Sequence, residues 1–346
     1  MTKSTFSPAG GKGNIVLVML ILVLVSLAGV RLWLEKEASA VPYPYWLAVS
    51  DNGIAIIYGD TIYLCDAEGT ISKRITIPDH IVPCQLSWHN DKLIVADWKN
   101  DELHLFGSYG MTSIQLRGGP NINAHLNAIL DEKNNAIYVT DSDGSRIHKY
   151  DSQGSYGESF GRFGFGQGSL SSPKDMRLLN DTLYVGNVMR SGVDAFSTDG
   201  KFIKSIVEPK GNILYNLITD FDIADDYVVT IECDVLFAHC LIASYNWEGK
   251  LLSKIPQAAG SGSVGDVAMK GDIVYVSDAA NRRITKYDVA TLEILGPVSL
   301  ELNAIGESDN SKYEALKSYS RYSLIALLLC CVPVALLYWQ YRKSRQ

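Results

Sequence analysis

The sequence has little positive charge for its length. Its 346 residues include 31 lysines and arginines against 38 aspartates and glutamates, a formal net charge of −7. Seven of the basic residues but two of the acidic ones lie outside positions 41–321, so that segment holds 24 basic and 36 acidic residues, a net charge of −12. Because an acidic surface is repelled by phosphate backbones, we expect no nucleic-acid partner.

Histidine and the common catalytic motifs are also scarce. The chain has six histidines and contains no Gly-x-Ser-x-Gly elbow, no His-Glu-x-x-His pair and no P-loop. These absences argue against a serine hydrolase of the elbow type, a zinc protease and a P-loop nucleotidase.

Long apolar runs are present, and they lie at the two ends of the chain. The first covers positions 15–34 and the second 323–341, each long enough to cross a hydrocarbon core of about 30 Å. Aromatic residues flank the second run, as is typical of membrane interfaces. The short outer tails carry the basic residues Lys3, Lys12, Arg342, Lys343 and Arg345. Since positive flanks stay on the cytoplasmic side, both tails are predicted to be cytoplasmic and the middle of the chain extracytoplasmic.

Two other interpretations of these ends are open. The segment Ala38-Ser39-Ala40 has the small-x-small form of a signal-peptide cleavage site, although the charges just before it favour an uncleaved anchor. The C-terminal run followed by basic residues also has the form of a surface-sorting tail, but no sorting motif precedes it. We therefore expect an integral protein of a bacterial cytoplasmic membrane with its middle part in the periplasm.

The middle of the chain is one motif repeated six times. A short strand followed by a turn recurs at positions 62–69, 103–110, 147–154, 193–200, 242–249 and 284–291, with spacings of 41 to 49 residues. This period is typical of a four-stranded propeller blade. The eighth column of the motif is Gly69, Gly110, Gly154, Gly200 and Gly249, with Thr291 as the exception, and a turn with positive φ explains these glycines. The repeat predicts an all-β, six-bladed propeller of four-stranded blades over residues 44–305.

This segment resembles the NHL-repeat propellers. The resemblance rests on residues 135–173 and 272–288, which share the pattern "Tyr-Val-x-Asp, turn, Arg-Ile, aromatic-Asp". It implies a fold firmly and a function poorly, because such propellers serve as binding platforms, sensor domains and a few metal-dependent enzymes. The predicted organisation is then a cytoplasmic tail (1–14), a transmembrane helix (15–34), the propeller (44–305), a juxtamembrane linker (306–322), a second transmembrane helix (323–341) and a basic cytoplasmic tail (342–346).

The innermost strands are predicted to place six side chains around the propeller axis. Aligned across the repeats, these are Trp46, Gln85, Asn127, Asp175, Asp220 and Asp266. Carboxylate and amide oxygens suit a hard cation, so Asp175, Asp220, Asp266 and Asn127 are candidate ligands for calcium or zinc. This arrangement resembles the metal-dependent lactonase propellers. The alternative interpretation is a set of solvated groups in a water-filled channel.

Four cysteines lie outside the apolar runs. Cys233 and Cys240 are predicted to face each other across a hairpin, where an oxidising compartment would favour a disulfide. Cys65 and Cys84, in adjacent blades, form a second candidate pair, and the alternative is four small buried side chains.

We consider two functions. The first is a membrane-anchored scaffold or sensor that binds another membrane or extracytoplasmic protein, or a ligand. Its candidate contact residues are the aromatic side chains Trp88, Trp98, Tyr109, Tyr156 and Phe163. The second is a metal-dependent hydrolase or lyase of the lactonase type with an acidic axial site.

Overall fold

The structure is a computed structural model that describes residues 9–122, 127–208, 217–224, 226–236, 239–256 and 264–343. Its contacts divide the chain into two units, residues 42–307 and the two terminal segments 1–41 and 308–346.

The described residues of the larger unit form 24 strands in six four-stranded antiparallel sheets, and each sheet takes its strands in sequence order. We call the sheets blades 1 to 6. Blade 1 consists of β1 Pro44–Ser50, β2 Gly53–Tyr58, β3 Thr61–Cys65 and β4 Ile71–Thr76. Blade 2 consists of β5 Pro83–His89, β6 Lys92–Asp97, β7 Glu102–Gly107 and β8 Gly110–Gln115. Blade 3 consists of β9 Ala128–Asp131, β10 Ala136–Asp141, β11 Arg146–Asp151 and β12 Tyr156–Phe160.

The remaining three blades follow the same order. Blade 4 consists of β13 Pro173–Leu179, β14 Thr182–Asn187, β15 Gly192–Ser197 and β16 Phe202–Val207. Blade 5 consists of β17 Leu217–Ala224, β18 Tyr227–Cys233, β19 Cys240–Asn246 and β20 Leu251–Pro256. Blade 6 consists of β21 Val264–Lys270, β22 Ile273–Asp278, β23 Arg283–Asp288 and β24 Ile294–Pro297.

The hydrophobic core lies between the blades. Six clusters of buried apolar side chains each join two neighbouring blades, and one of them joins blade 6 to blade 1. Both faces of a blade are therefore packed, which explains why buried residues occupy consecutive positions of the second strand in blades 1, 2 and 3. The five glycines of the repeat column have φ between +70° and +120°, in agreement with the predicted turn conformation.

Ring closure is made by contacts rather than by strand exchange, because every blade is built from contiguous sequence. At the seam, the backbone N–H of Leu47 donates to Asp266 Oδ2 (2.9 Å), and Ser277 Oγ donates to the carbonyl oxygen of Tyr45 (2.8 Å). Arg282 Nε donates to the carbonyl oxygen of Pro42 (3.1 Å), and its own carbonyl lies so close to Gly306 that a Cβ there would overlap it. Both ends of the propeller unit therefore meet at the Arg282 turn.

The other unit is largely helical. Helix α1 covers Ala9–Ser39, and helix α2 covers Leu300–Lys343, so the first residues of α2 belong to the propeller unit. Helix α2 is continuous through the predicted linker 306–322 and the predicted span 323–341. Glu35 accepts hydrogen bonds from Arg31 Nε (3.0 Å) and Ser320 Oγ (3.1 Å), so the helices contact each other here. By length and composition the stretches Val18–Ser39 and Leu300–Leu336 are apolar enough to cross a membrane, which is a weak indication of membrane crossing.

Candidate functional site

The axial positions predicted from the repeat do line one cavity. Trp46, Gln85, Asn127, Asp175, Asp220 and Asp266 all border a cavity of about 750 Å³ among the innermost strands. Their strand pairings are equivalent, for example Gln85 with Ala96, Asp175 with Gly186 and Asp220 with Ile231. The alignment therefore holds in blade 2, and Trp46 takes the same place in blade 1.

Five of these side chains join neighbouring blades through four hydrogen bonds. Gln85 Oε1 accepts the N–H of Ala128 (2.6 Å), and Asp220 Oδ2 accepts the N–H of Val267 (2.8 Å). Asn127 Nδ2 donates to Asp175 Oδ1, which links blades 3 and 4. Together with the bond from Leu47 to Asp266 at the seam, these contacts satisfy buried backbone donors around the axis.

A cation of the chain itself lies among the carboxylates. Arg177 Nη1 contacts Asp175 Oδ1 at 2.6 Å, and Arg177 Nε contacts Asp222 Oδ1 at 2.7 Å. The second oxygen of Asp222 accepts the N–H of Met269 in blade 6 (2.6 Å). Arg177 and Asp222 were missed in the sequence, although each lies two residues after an axial aspartate and strand alternation places such residues on the same face.

Burial changes the protonation of the two remaining axial carboxyls. Burial, followed by the charge of Asp266, raises the pKa of Asp220 to about 8. Burial also raises the pKa of Asp266 to about 6. Asp220 hydrogen-bonds to the side chains of both Asp175 and Asp266, which requires a proton on one member of each carboxyl pair. Burial also raises the pKa of Asp175 well above its ordinary value, and the charge of the Arg177 guanidinium opposes this rise.

One buried oxygen at the axis, Asn127 Oδ1, accepts no hydrogen bond from the described part of the chain, and Asn127 is 6% exposed. The amide orientation of Asn127 is fixed because its Nδ2 donates to Asp175. The cavity wall therefore presents an amide oxygen that can accept a hydrogen bond from a ligand.

The axial set does not fit a metal ion as it is arranged. Calcium takes six to eight oxygens, and structural or catalytic zinc takes three or four protein ligands around one point. Here Asp175 is paired with Arg177, and Asp220 and Asp266 each accept a backbone N–H. Within the described ranges, no three His, Cys, Asp or Glu side chains are grouped as metal ligands. We therefore assign no chemical step to a metal.

A second polar network repeats on the outer strands. In blade 2, His104 Nδ1 bonds Ser113 Oγ (2.8 Å) and its Nε2 lies 3.5 Å from Asp97 Oδ2. His148 Nε2 bonds Asp141 Oδ2 (3.1 Å) at the equivalent place in blade 3. In blade 4 the equivalent positions hold Asn187, Asp194 and Ser205, which also bond one another. Because the network recurs from blade to blade, we assign it to joining strands rather than to catalysis. A seven-residue spacing between the aspartate and the histidine is the sequence signal for it.

The aromatic contact candidates fall into two groups. Tyr109, Trp98 and Phe163 are exposed, with Tyr109 fully so. Trp88 lies on β5, borders the cavity and donates from Nε1 to the carbonyl of Ala48 (3.3 Å). Tyr156 lies on β12 against Tyr150, with ring centroids 5.6 Å apart. Trp88 and Tyr156 therefore pack between strands rather than on exposed loops.

One of the two candidate disulfides is formed. Cys233 and Cys240 are bonded and pair across the β18–β19 hairpin. Cys65 and Cys84 are both buried and form no disulfide, which agrees with the alternative of small buried side chains. The reason is their position on different blade interfaces: Cys65 packs between blades 6 and 1, and Cys84 packs between blades 2 and 3.

Comparisons with known proteins agree with this architecture. A family described as 6-bladed beta-propeller matches residues 81–160. No curated protein matches the sequence. Among solved structures, a streptogramin B lyase is similar with a TM-score of 0.53 and 15% identity, over 75% of this chain and 83% of that one.

Two further structures have the same fold. One is a catalytically inactive virginiamycin B lyase from Staphylococcus aureus with quinupristin, with a TM-score of 0.52 and 15% identity over 76% of this chain and 87% of that one. The other is a chain of a nidogen/laminin complex, with a TM-score of 0.52 and 13% identity over 76% of this chain and 93% of that one. At these identities the similarity concerns the fold alone. The chain is a six-bladed all-β propeller with four-stranded blades, flanked by two apolar helices.

Proposed function

We propose that the protein is a membrane-anchored, extracytoplasmic binding scaffold that recognises a partner at the cavity. The observation that carries this proposal is the position of the chain ends relative to the cavity within the propeller unit. The ends meet at the β22–β23 turn around Arg282. Residues at the hairpins between first and second strands, such as Asn90 and Asn180, border the cavity. Since these hairpins and turns lie at opposite ends of the second strand, the cavity opens on the face away from the chain ends.

The anchoring part of the proposal rests on charge and hydropathy. The two apolar helices are flanked on their outer sides by the basic residues of the tails, so both tails are cytoplasmic and the propeller is periplasmic. The Cys233–Cys240 disulfide supports an oxidising compartment. The repeat pattern supports assignment of the blades to the NHL type.

The metal-dependent hydrolase is not proposed as a second function. Two similar structures are lyases, but at 15% identity they support a shared fold and not a shared activity. The axial aspartates bond to Arg177 and to backbone N–H groups, so the geometry supports a binding cavity better than a metal centre.

Two measurements test this proposal. A reporter enzyme fused after Gln346 should be active only in the cytoplasm, and activity outside would contradict the topology. A photo-crosslinking amino acid should then replace Asn180 at the cavity rim of the full chain in cells, with Met189 on the opposite face as the matched exposed position. We expect a discrete crosslinked product from position 180 and none from 189. Products from 189 alone, or from neither position, would overturn the scaffold proposal.

A further inference from the structure

The rim of the cavity is ringed by carboxylates. Each of the six hairpins between a blade's first and second strands carries an exposed acidic side chain at its tip. These residues are Asp51, Asp91, Glu132, Asp181, Asp226 and Asp272. Glu132 and Asp181 border the cavity itself. The approach to the cavity is therefore negatively charged on every side.

Basic residues neutralise only part of the negative charge of this ring. Lys270 Nζ lies 3.2 Å from Asp51 Oδ1, and Lys133 pairs with Asp181. These pairs are solvent-exposed, so they hold the lysines weakly. Asp91, Asp226 and Asp272 form no ion pair within the part of the chain that the structure describes. The field at the rim favours a cationic ligand.

The interior adds a buried acceptor. Asn127 Oδ1 lies at the cavity wall and accepts no hydrogen bond from the residues that the structure describes. A buried acceptor without a hydrogen bond is unfavourable, and an N–H group of a ligand would satisfy it. The indole ring of Trp46 borders the same cavity and supplies an aromatic surface of the kind that attracts cations.

The chain itself shows that this interior accepts a guanidinium. Arg177 lies between Asp175 and Asp222 with charge-assisted contacts of 2.6 and 2.7 Å. The volume of about 750 Å³ is within the range of small-molecule sites. Hydrogen-bond acceptors spread over the wall suit a ligand with several N–H donors, whereas a metal ion needs its oxygens around one point.

We propose that the cavity binds an organic cation carrying several ammonium or guanidinium groups. This inference rests on the proposed scaffold function and names the chemistry of its ligand. The rim carboxylates attract the ligand, and Asn127 Oδ1 accepts one of its N–H groups inside. The same chemistry is available from a free polyamine and from a basic peptide of a partner protein.

The test uses the full chain in nanodiscs of uncharged lipid, so that the membrane itself does not bind cations. Calorimetric titrations are made with spermine, with a hexa-arginine peptide and with calcium chloride. A salt concentration of about 150 mM screens weak attraction to exposed charges, so that the binding of the three cations can be compared. We expect saturable binding of spermine or of the peptide that excess calcium does not displace. The tighter of the two indicates whether the source is a small molecule or a protein. Binding of neither, or full displacement of both by calcium, would overturn the proposal.

Two variants distinguish binding at the cavity from attraction to acidic residues elsewhere on the surface. The rim variant combines Asp91→Asn, Glu132→Gln and Asp181→Asn. The control variant combines Glu68→Gln, Asp199→Asn and Glu248→Gln, which are exposed acids on the outer turns between third and fourth strands. We expect the rim variant to weaken binding about tenfold and the control to change it less than about twofold. Equal weakening by both variants would contradict a cavity site.

The interior is tested by Asn127→Ala, with thermal unfolding to show that the variant folds. A folded variant should bind the cation more weakly than the wild type, and unchanged affinity would overturn the interior part of the proposal. Crosslinking from position 180 does not depend on cation affinity, so it can succeed where these titrations fail. The two proposals therefore fail independently.

Discussion

Arg177 of blade 4 donates from Nε to Asp222 of blade 5 over 2.7 Å, and this pair joins two innermost strands that belong to different sheets. The same guanidinium contacts Asp175 in its own blade. The acidic axis therefore contains its own counter-ion.

Replacing Arg177 with methionine should destabilise the propeller strongly. The change would leave Asp175 and Asp222 buried without their cation, a loss of about 3–5 kcal/mol. For a domain of this size, we expect the melting temperature to fall by about 10 °C in thermal unfolding of the full chain in detergent.

The matched control for Arg177 is Arg74→Met. Arg74 pairs with Glu301, but both side chains are more than half exposed. This pair should contribute less than about 1 kcal/mol. If the two variants lose similar stability, the axial ion pairs are not the cause.

Stability should fall as the pH rises from about 4 to about 8. The pKa of Asp220, about 8, and that of Asp266, about 6, both lie above the value of about 3.9 for an aspartate in an unfolded chain. The folded chain therefore holds protons in this range that the unfolded chain releases, and linkage requires that the free energy of unfolding decreases as those protons are lost. Chemical unfolding at pH 5, 6.5 and 8.5 measures this slope.

Asp220→Asn should flatten that pH dependence, because an amide resembles the protonated carboxyl and does not titrate. Asp288→Asn is the control. Backbone and side-chain hydrogen bonds from Thr291 lower the pKa of Asp288, so its contribution changes only below about pH 4. If Asp220→Asn does not change the slope of the free energy of unfolding against pH, groups other than Asp220 determine that slope.

Thiol counting should find four free cysteines and one disulfide. Alkylation of the unfolded, unreduced chain is expected to modify four thiols, and prior reduction should raise this to six, as measured by mass. A count of two before reduction would mean that a second disulfide exists. Replacing Cys233 and Cys240 by serine should cost about 2–4 kcal/mol through the greater freedom of the unfolded chain.

Gly306→Ala should destabilise the seam between blades 6 and 1. Alanine is normally the better helix former by about 1 kcal/mol. At position 306, however, the added Cβ would overlap the carbonyl oxygen of Arg282, so a net loss of about 1–3 kcal/mol is expected. Gly166→Ala is the control, because no atom lies within 4 Å of a Cβ there. Equal unfolding temperatures for the two variants would argue against a tight seam.

The repeat predicted the blade number and the axial positions well because both depend on local strand periodicity. Asp175, Asp220 and Asp266 lie where the alignment put them. What they bind was less predictable, since the partners of Asp220 and Asp266 are backbone N–H groups of the next blade and no sequence pattern marks them.

The cysteines show a similar limit. Cys233 and Cys240 pair within one hairpin, so their spacing was sufficient. Cys65 and Cys84 belong to neighbouring blades, but they lie on interfaces that face away from each other, and the direction of a side chain out of a doubly packed sheet is not evident from spacing.

The sequence-contiguous blades also determine the order in which the molecule can be assembled during synthesis. Each sheet needs only its own contiguous stretch of 33 to 40 residues, so its strands can pair as that length of chain emerges. The bonds of Leu47 to Asp266, Tyr45 to Ser277 and Pro42 to Arg282 span 219, 232 and 240 residues. An incompletely synthesised chain therefore forms an open arc of finished blades. The apolar face of blade 1 that packs against blade 6 stays exposed until blade 6 has been synthesised.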